Sequence, residues 1–136
     1  MTLEKIVAIS GKPGLYEVIS QSNKNLIVQS LSDKKRMPIH NMHNVSILND
    51  IAIYTLDGEK PLRDVFKEIA AKNDSKEILS HKESDDKLTK FFADLLPDYD
   101  TERVYTSNIK KVVQWYNLLA TNEFDFSSIK DTEPEE

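Results

Sequence analysis

His40 and His43 stand three residues apart, a spacing at which two imidazoles can share a metal ion. Such a site needs a third ligand, and only Asp33 and Asp50 lie near in sequence, with no H-E-x-x-H helix to organise them. The chain has no cysteine, which removes thiolate zinc, disulfide scaffolds and cysteine nucleophiles together. The pair therefore reads as two surface histidines, and no metal or cofactor is expected. Asp94, Asp98, Asp100 and Glu102 are carboxylates at helix ends, where capping and solvation account for them. No nucleophile elbow supports a Ser-His-Asp arrangement, so no catalytic residue is assigned and the chain is read as a non-enzyme.

Two further motifs bear on nucleic acid. Gly11-Lys12-Pro13-Gly14 is a GxxG, and in KH domains such a loop clamps a nucleic-acid backbone between two helices. Here it stands between two strand-like runs, so it reads as a tight turn with φ fixed at proline and relaxed at the glycines. A Walker loop is excluded, because no G-x-x-x-x-G-K-[ST] is present. Lys34-Lys35-Arg36, with Lys12 and Lys24 on other turns, can form a basic rim if the hairpin tips converge. About three to five phosphate contacts supply little affinity at physiological salt, so any binding there is weak and without sequence preference. The commoner meaning of three adjacent cations is a solvated turn.

The elements that carry these residues are legible from periodicity. Lys5–Ser10, Leu15–Ser22, Leu26–Leu31, Met37–Ile39, Val45–Leu48 and Ile51–Thr55 read as five or six short strands separated by turn residues. The first is apolar on both faces and must be central or covered. That pattern predicts a small SH3-like barrel. Leu62, Val65, Phe66 and Ile69 then stand at i, i+3, i+4 and i+7 behind Pro61, which predicts a helix closing the β unit.

Residues 73–86 hold two apolar side chains and no period, so they read as a polar linker between a β domain (1–72) and a helical domain (87–122). Ser84 is placed to cap a helix carrying Leu88, Phe91, Phe92 and Leu95, which Pro97 ends. A longer helix from Thr106 or Ser107 carries Ile109, Val112, Val113 and Tyr116, completing a helical hairpin. Residues 123–136 read as an acidic, disordered tail. The fold class is α+β.

The apolar arc of the last helix is wider than one neighbouring helix can cover. Trp115, Tyr116 and Leu119 are therefore the candidate partner surface, facing the β domain, a second copy of the chain or another protein.

The net charge of −5 is uneven: residues 1–72 carry ten Lys/Arg against eight Asp/Glu, and residues 73–136 carry eight against fifteen. The second half repels phosphate. No apolar run approaches the roughly 20 residues needed to span a bilayer, and the start of the chain lacks a signal-peptide core. A cytoplasmic setting without membrane association is expected.

Long ordered strings carry a resemblance: S-G-K-P-G-L-Y at 10–16, L-I-V-Q-S-L-S-D-K-K-R-M-P at 26–38, I-A-I-Y-T at 51–55, L-L-P-D-Y-D at 95–100, R-V-Y at 103–105, I-K-K at 109–111 and W-Y at 115–116. Over residues 3–120 the chain resembles a family of small proteins of unknown function from Bacteroidetes bacteria. The resemblance implies an N-terminal β domain, a C-terminal helical domain and a bacterial cytoplasmic setting, and carries no activity or site residue. The expected function is that of a non-catalytic, protein-binding or regulatory interaction module. The alternatives are a nucleic-acid-, ribosome- or transcription-associated accessory protein using the basic rim, and, at a distance, an enzyme with an unrecognised site.

Overall fold

Strand β1 (Ile6–Ile9) is covered on both faces, and the sheet is organised around it. Successive side chains of a strand point to opposite sides, and here Ile6 joins one buried cluster while Val7 and Ile9 join another. The structure is a computed structural model describing residues 3–12, 14–22, 25–40 and 44–129. β2 (Tyr16–Gln21), β3 (Leu26–Ser30) and β4 (Arg36–Ile39) continue from β1 as an antiparallel meander. β5 (Val45–Ile47) returns to the free edge of β1, giving the order β4-β3-β2-β1-β5. Between Val18 and Ser20 the register of β2 slips against β3, an irregularity of the kind that bends a strand.

The class is α+β, but among the described residues no closed barrel forms. The sixth expected strand leaves the sheet: β6 (Ala52–Thr55) pairs with β7 (Gly58–Pro61) as a separate two-stranded hairpin. Asp57-Gly58 is thus part of a hairpin turn, with Gly58 at φ 132 and Thr55 Oγ1 donating to the Gly58 carbonyl at 2.9 Å. β7 reads Gly-Glu-Lys-Pro and has no strand signature of its own; pairing with β6 holds it extended.

Helix α1 (Leu62–Asn73) buries Leu62, Val65, Phe66 and Ile69, the stripe its sequence predicts. α2 (Asp85–Leu95) starts at Ser84, whose side chain accepts from Lys87 N, and buries Leu88, Phe92 and Leu95. α3 (Thr106–Thr121) buries Ile109, Val112, Val113, Tyr116 and Leu119. Its N-terminus is closed by Asn108, whose side chain accepts from the Tyr105 N–H at 2.9 Å. One cluster of buried side chains runs from Leu3 to Ile129, taking in the helix-facing side of the sheet and all three helices. The smaller cluster, Val7, Ile9, Tyr16, Leu26, Val28 and Ile39, lies on the other face of the sheet.

The stretch expected to be a linker has no helix or strand over residues 74–84, yet side chains from α3 hold it in place. Tyr116 Oη donates to the Lys76 carbonyl at 2.8 Å. Asn117 accepts from Ile78 N at 2.8 Å and donates to the Leu79 carbonyl at 3.0 Å, and Ile78 and Leu79 pack half-buried on the main core. The first part of the expected tail behaves alike. Phe124, Phe126 and Ile129 are buried, with the Phe126 ring stacked on Tyr116 at 4.9 Å between centroids. Aromatic and branched side chains that cover an open end of the core gain more from burial than a disordered chain keeps in entropy. Residues 130–136 lie outside the described residues. Among the described residues, no helix is long and apolar enough to cross a membrane.

Candidate functional site

Helix α3 separates its two adjacent aromatics sharply. Tyr116 points into the core, wholly buried against Phe126 and Phe66, and burial raises its phenol above the ordinary tyrosine range. Leu119 is equally buried. Neither can meet a partner, so both are withdrawn from the expected partner surface: the core they cover includes the sheet, the 76–79 stretch and the 124–129 stretch, not only α2. Trp115 is half-buried and remains.

About 100° around the helix from Tyr116, Trp115 shares a face with Lys111, four residues earlier. Together with Ile51, they form the common wall of two clefts. The first, of about 210 Å³, lies between α3 and β6, with Ala52, Tyr54, Arg103 and Asn108 around it. The second, of about 420 Å³, lies between α3 and the β1–β2 turn, with Ser10, Lys12, Ser46 and Gln114 around it. Gly14 of that turn sits at φ 81, a left-handed conformation glycine adopts freely. The turn passes so close to α3 that a Cβ on Gly14 would lie 3.8 Å from Leu118 Cδ1, which accounts for the second flank of the wide apolar arc.

Among the described residues, three cations therefore line the two clefts, and no carboxylate does. The Arg103 guanidinium lies 5.5 Å from the centre of the Tyr54 ring and 3.6 Å from Asp100 Oδ2. Among the described residues Lys111 and Lys12 have no ion-pair partner. Tyr54, which lines the first cleft, and Leu56, in the turn after β6, are exposed apolar side chains.

Among the described residues, the cations of the expected basic rim have different surroundings. Sheet register puts the β1–β2 and β3–β4 turns at one end of the sheet, where Leu31 N donates to the Leu15 carbonyl at 3.0 Å. Lys12 nevertheless faces the cleft beside Trp115, whereas Lys34 Nζ reaches Asn122 Oδ1 past the end of α3. Arg36 Nε donates to Gln29 Oε1 at 3.1 Å, and Lys35 is exposed. Lys24 lies outside the described residues; its flanking neighbours Ser22 and Asn25 close the hairpin at the opposite end of the sheet. Asp33 folds back on its own turn, and the bond it accepts from Lys35 N holds its carboxyl below the usual range. His40 Nδ1 pairs with Asn25 Oδ1 at 2.7 Å, and His43 lies outside the described residues.

Sequence reasoning missed Lys111 and Arg103 as site residues. Lys111 was findable from its i, i+4 relation to Trp115; Arg103 and Tyr54 meet only through the fold.

A family model described as a domain of unknown function, DUF6852, matches residues 51–119, about half of the chain. The chain belongs to this family. A second model, the domain of unknown function DUF5606, matches residues 3–48. A solution NMR structure of a protein from Bacteroides vulgatus, determined by the Northeast Structural Genomics Consortium, is similar, with 36% identity and a TM-score of 0.75. The match covers 99% of this chain and 100% of that one. Among curated proteins none matches. In family terms the five-stranded sheet is one segment, and the β6–β7 hairpin travels with the helices. The second cleft lies where the two segments meet, with Ser10, Lys12 and Ser46 from the first facing Lys111 and Trp115 from the second.

Proposed function

We propose that this member of the family is a non-catalytic interaction module whose partner surface is the pair of clefts divided by Trp115 and Lys111. The observation carrying this reading is the lining itself: both segments of the chain contribute, the aromatic at the centre is half-buried, and among the described residues the lining includes three cations, of which Lys111 and Lys12 have no ion-pair partner. Recessed surfaces at the junction of two structural units are common places for binding. A cytoplasmic setting belongs to the same proposal and rests on the cysteine-free sequence.

The proposal includes an SH3-like reading of the first segment. A four-strand meander whose fifth strand returns beside the first, with a register slip in β2, supports that reading. The nucleic-acid alternative through the β3–β4 turn is weakened, because Lys34 and Arg36 are held by Asn122 and Gln29.

Affinity purification of the full-length protein from its source cells, beside a Trp115→Ala, Lys111→Glu double variant of unchanged secondary structure, tests the reading. Proteins that travel with the parent and are lost from the variant are expected. An identical set with both would remove the clefts as the partner surface.

A further inference from the structure

We infer that the first cleft takes a short, extended, acidic protein segment, which adds to the open edge of β6 and sets carboxylates against Lys111 in that cleft and, across the shared Trp115–Lys111 wall, against Lys12 in the second. This rests on the interaction reading above and names the chemistry of the partner.

The edge comes from the hydrogen-bond pattern. Leu62 N donates to the Ile51 carbonyl, and β6–β7 register pairs Ile53 with Lys60 and Thr55 with Gly58. In an antiparallel ladder such groups alternate sides, so the odd-numbered main-chain groups of β6 point at β7 and the even-numbered ones point away. Residues 98–100 cover part of that outer edge: Leu56 N donates to the Asp98 carbonyl and Asp100 N to the Tyr54 carbonyl. There the cover ends. The Asp100 carbonyl is taken by Arg103 N and Val104 N, which turns the chain away. The outward N–H and C=O of Ala52 are left beside the cleft, with no hydrogen-bond partner among the described residues.

An unpaired donor and acceptor on a strand edge are what an extended peptide engages, with its alternate side chains supplying specificity. Charge decides those side chains. Lys111 and Lys12, neither with an ion-pair partner among the described residues, favour an acidic segment. A nucleic-acid strand cannot use the Ala52 groups as a strand does, has few phosphate contacts to gain here, and is repelled by the acidic second half of the chain.

The chain's single tryptophan sits in the cleft wall and serves as the reporter. Full-length protein is titrated with a short alternating Glu-Val peptide, the same peptide with Gln for Glu, the Glu-Val peptide N-methylated on alternate amides, and oligothymidylate. The Glu-Val peptide should change Trp115 emission and bind about tenfold tighter than either modified peptide, ~1.4 kcal/mol. Lys111→Glu should weaken it by a similar factor, with Lys12→Glu as a second charge test, and added salt should weaken it further. Equal binding of the Gln-Val or N-methylated peptide, tighter binding of oligothymidylate, or self-association through the cleft would each overturn the inference. If the peptides fail while the cleft variant still loses copurifying proteins, the acidic chemistry falls and the interaction reading stands; if both fail, both fall.

Discussion

The two sides of α3, one residue apart at Trp115 and Tyr116, differ in how fully they are covered. On the inward side Tyr116 has its ring stacked on Phe126 and its hydroxyl bonded to Lys76, so both its apolar body and its polar tip are satisfied. On the outward side Trp115 borders space on two flanks, and two of the cations lining them, Lys111 and Lys12, have no ion-pair partner among the described residues. An apolar arc too wide for one neighbouring helix thus need not mean a wide exposed surface. Most of the excess is covered by segments outside the α-helices and strands, residues 76–79 and 124–129, and among the described residues the Trp115 edge is the part that borders open space.

The contrast is broken most forcefully from the inside. Tyr116→Ala removes a wholly buried ring and should cost about 3–5 kcal/mol, whereas Trp115→Ala should cost distinctly less, because that ring is only partly covered. Denaturant titrations of the two variants measure the difference, and equal losses would erase the asymmetry. Asn117→Ala comes next. It strips partners from Ile78 N and the Leu79 carbonyl, and about 1–3 kcal/mol should be lost, with faster proteolysis within 74–84. In the parent protein, a cut in the exposed Ser80–Ser84 turn should leave two fragments that stay associated under native conditions, since one core spans them. Fragments that separate on a sizing column would show that the two halves stand alone.

These expectations also mark what the sequence could and could not convey. The stripes of α1, α2 and α3 were legible because a 3.6-residue period repeats within each helix, and the strands of the meander because turn residues punctuate them. The role of residues 76–79 was not, since two apolar residues in a polar string carry no period and their partners, Tyr116 and Asn117, lie about forty residues away. β7 was hidden for a related reason: Gly58-Glu59-Lys60-Pro61 is extended only because β6 lies beside it. In the clefts, Trp115 was visible from helix geometry, while its meeting with Lys12 and Arg103 depends on tertiary packing.

Smaller effects sharpen the comparison. Tyr116→Phe should cost about 0.5–1.5 kcal/mol through the lost bond to Lys76. Because burial raises the Tyr116 phenol, the folded state holds its proton above the pH at which the unfolded chain releases it. That contribution is intact below about pH 10 and lost as pH rises toward the folded value. Alkaline melts should therefore fall more steeply for the parent than for Tyr116→Phe. Lys111→Glu, on the exposed side, should change stability by no more than about 0.5 kcal/mol while affecting binding.

Collisional quenching of Trp115 in the native full-length protein, with and without saturating Glu-Val peptide, tests the central claim most directly, because one side chain reports the cleft. Quenching midway between that of a buried indole and that of the unfolded chain is expected in the free protein, falling when peptide binds. A Trp115 fully shielded in the free protein, or one whose accessibility is unchanged by bound peptide, would contradict the account.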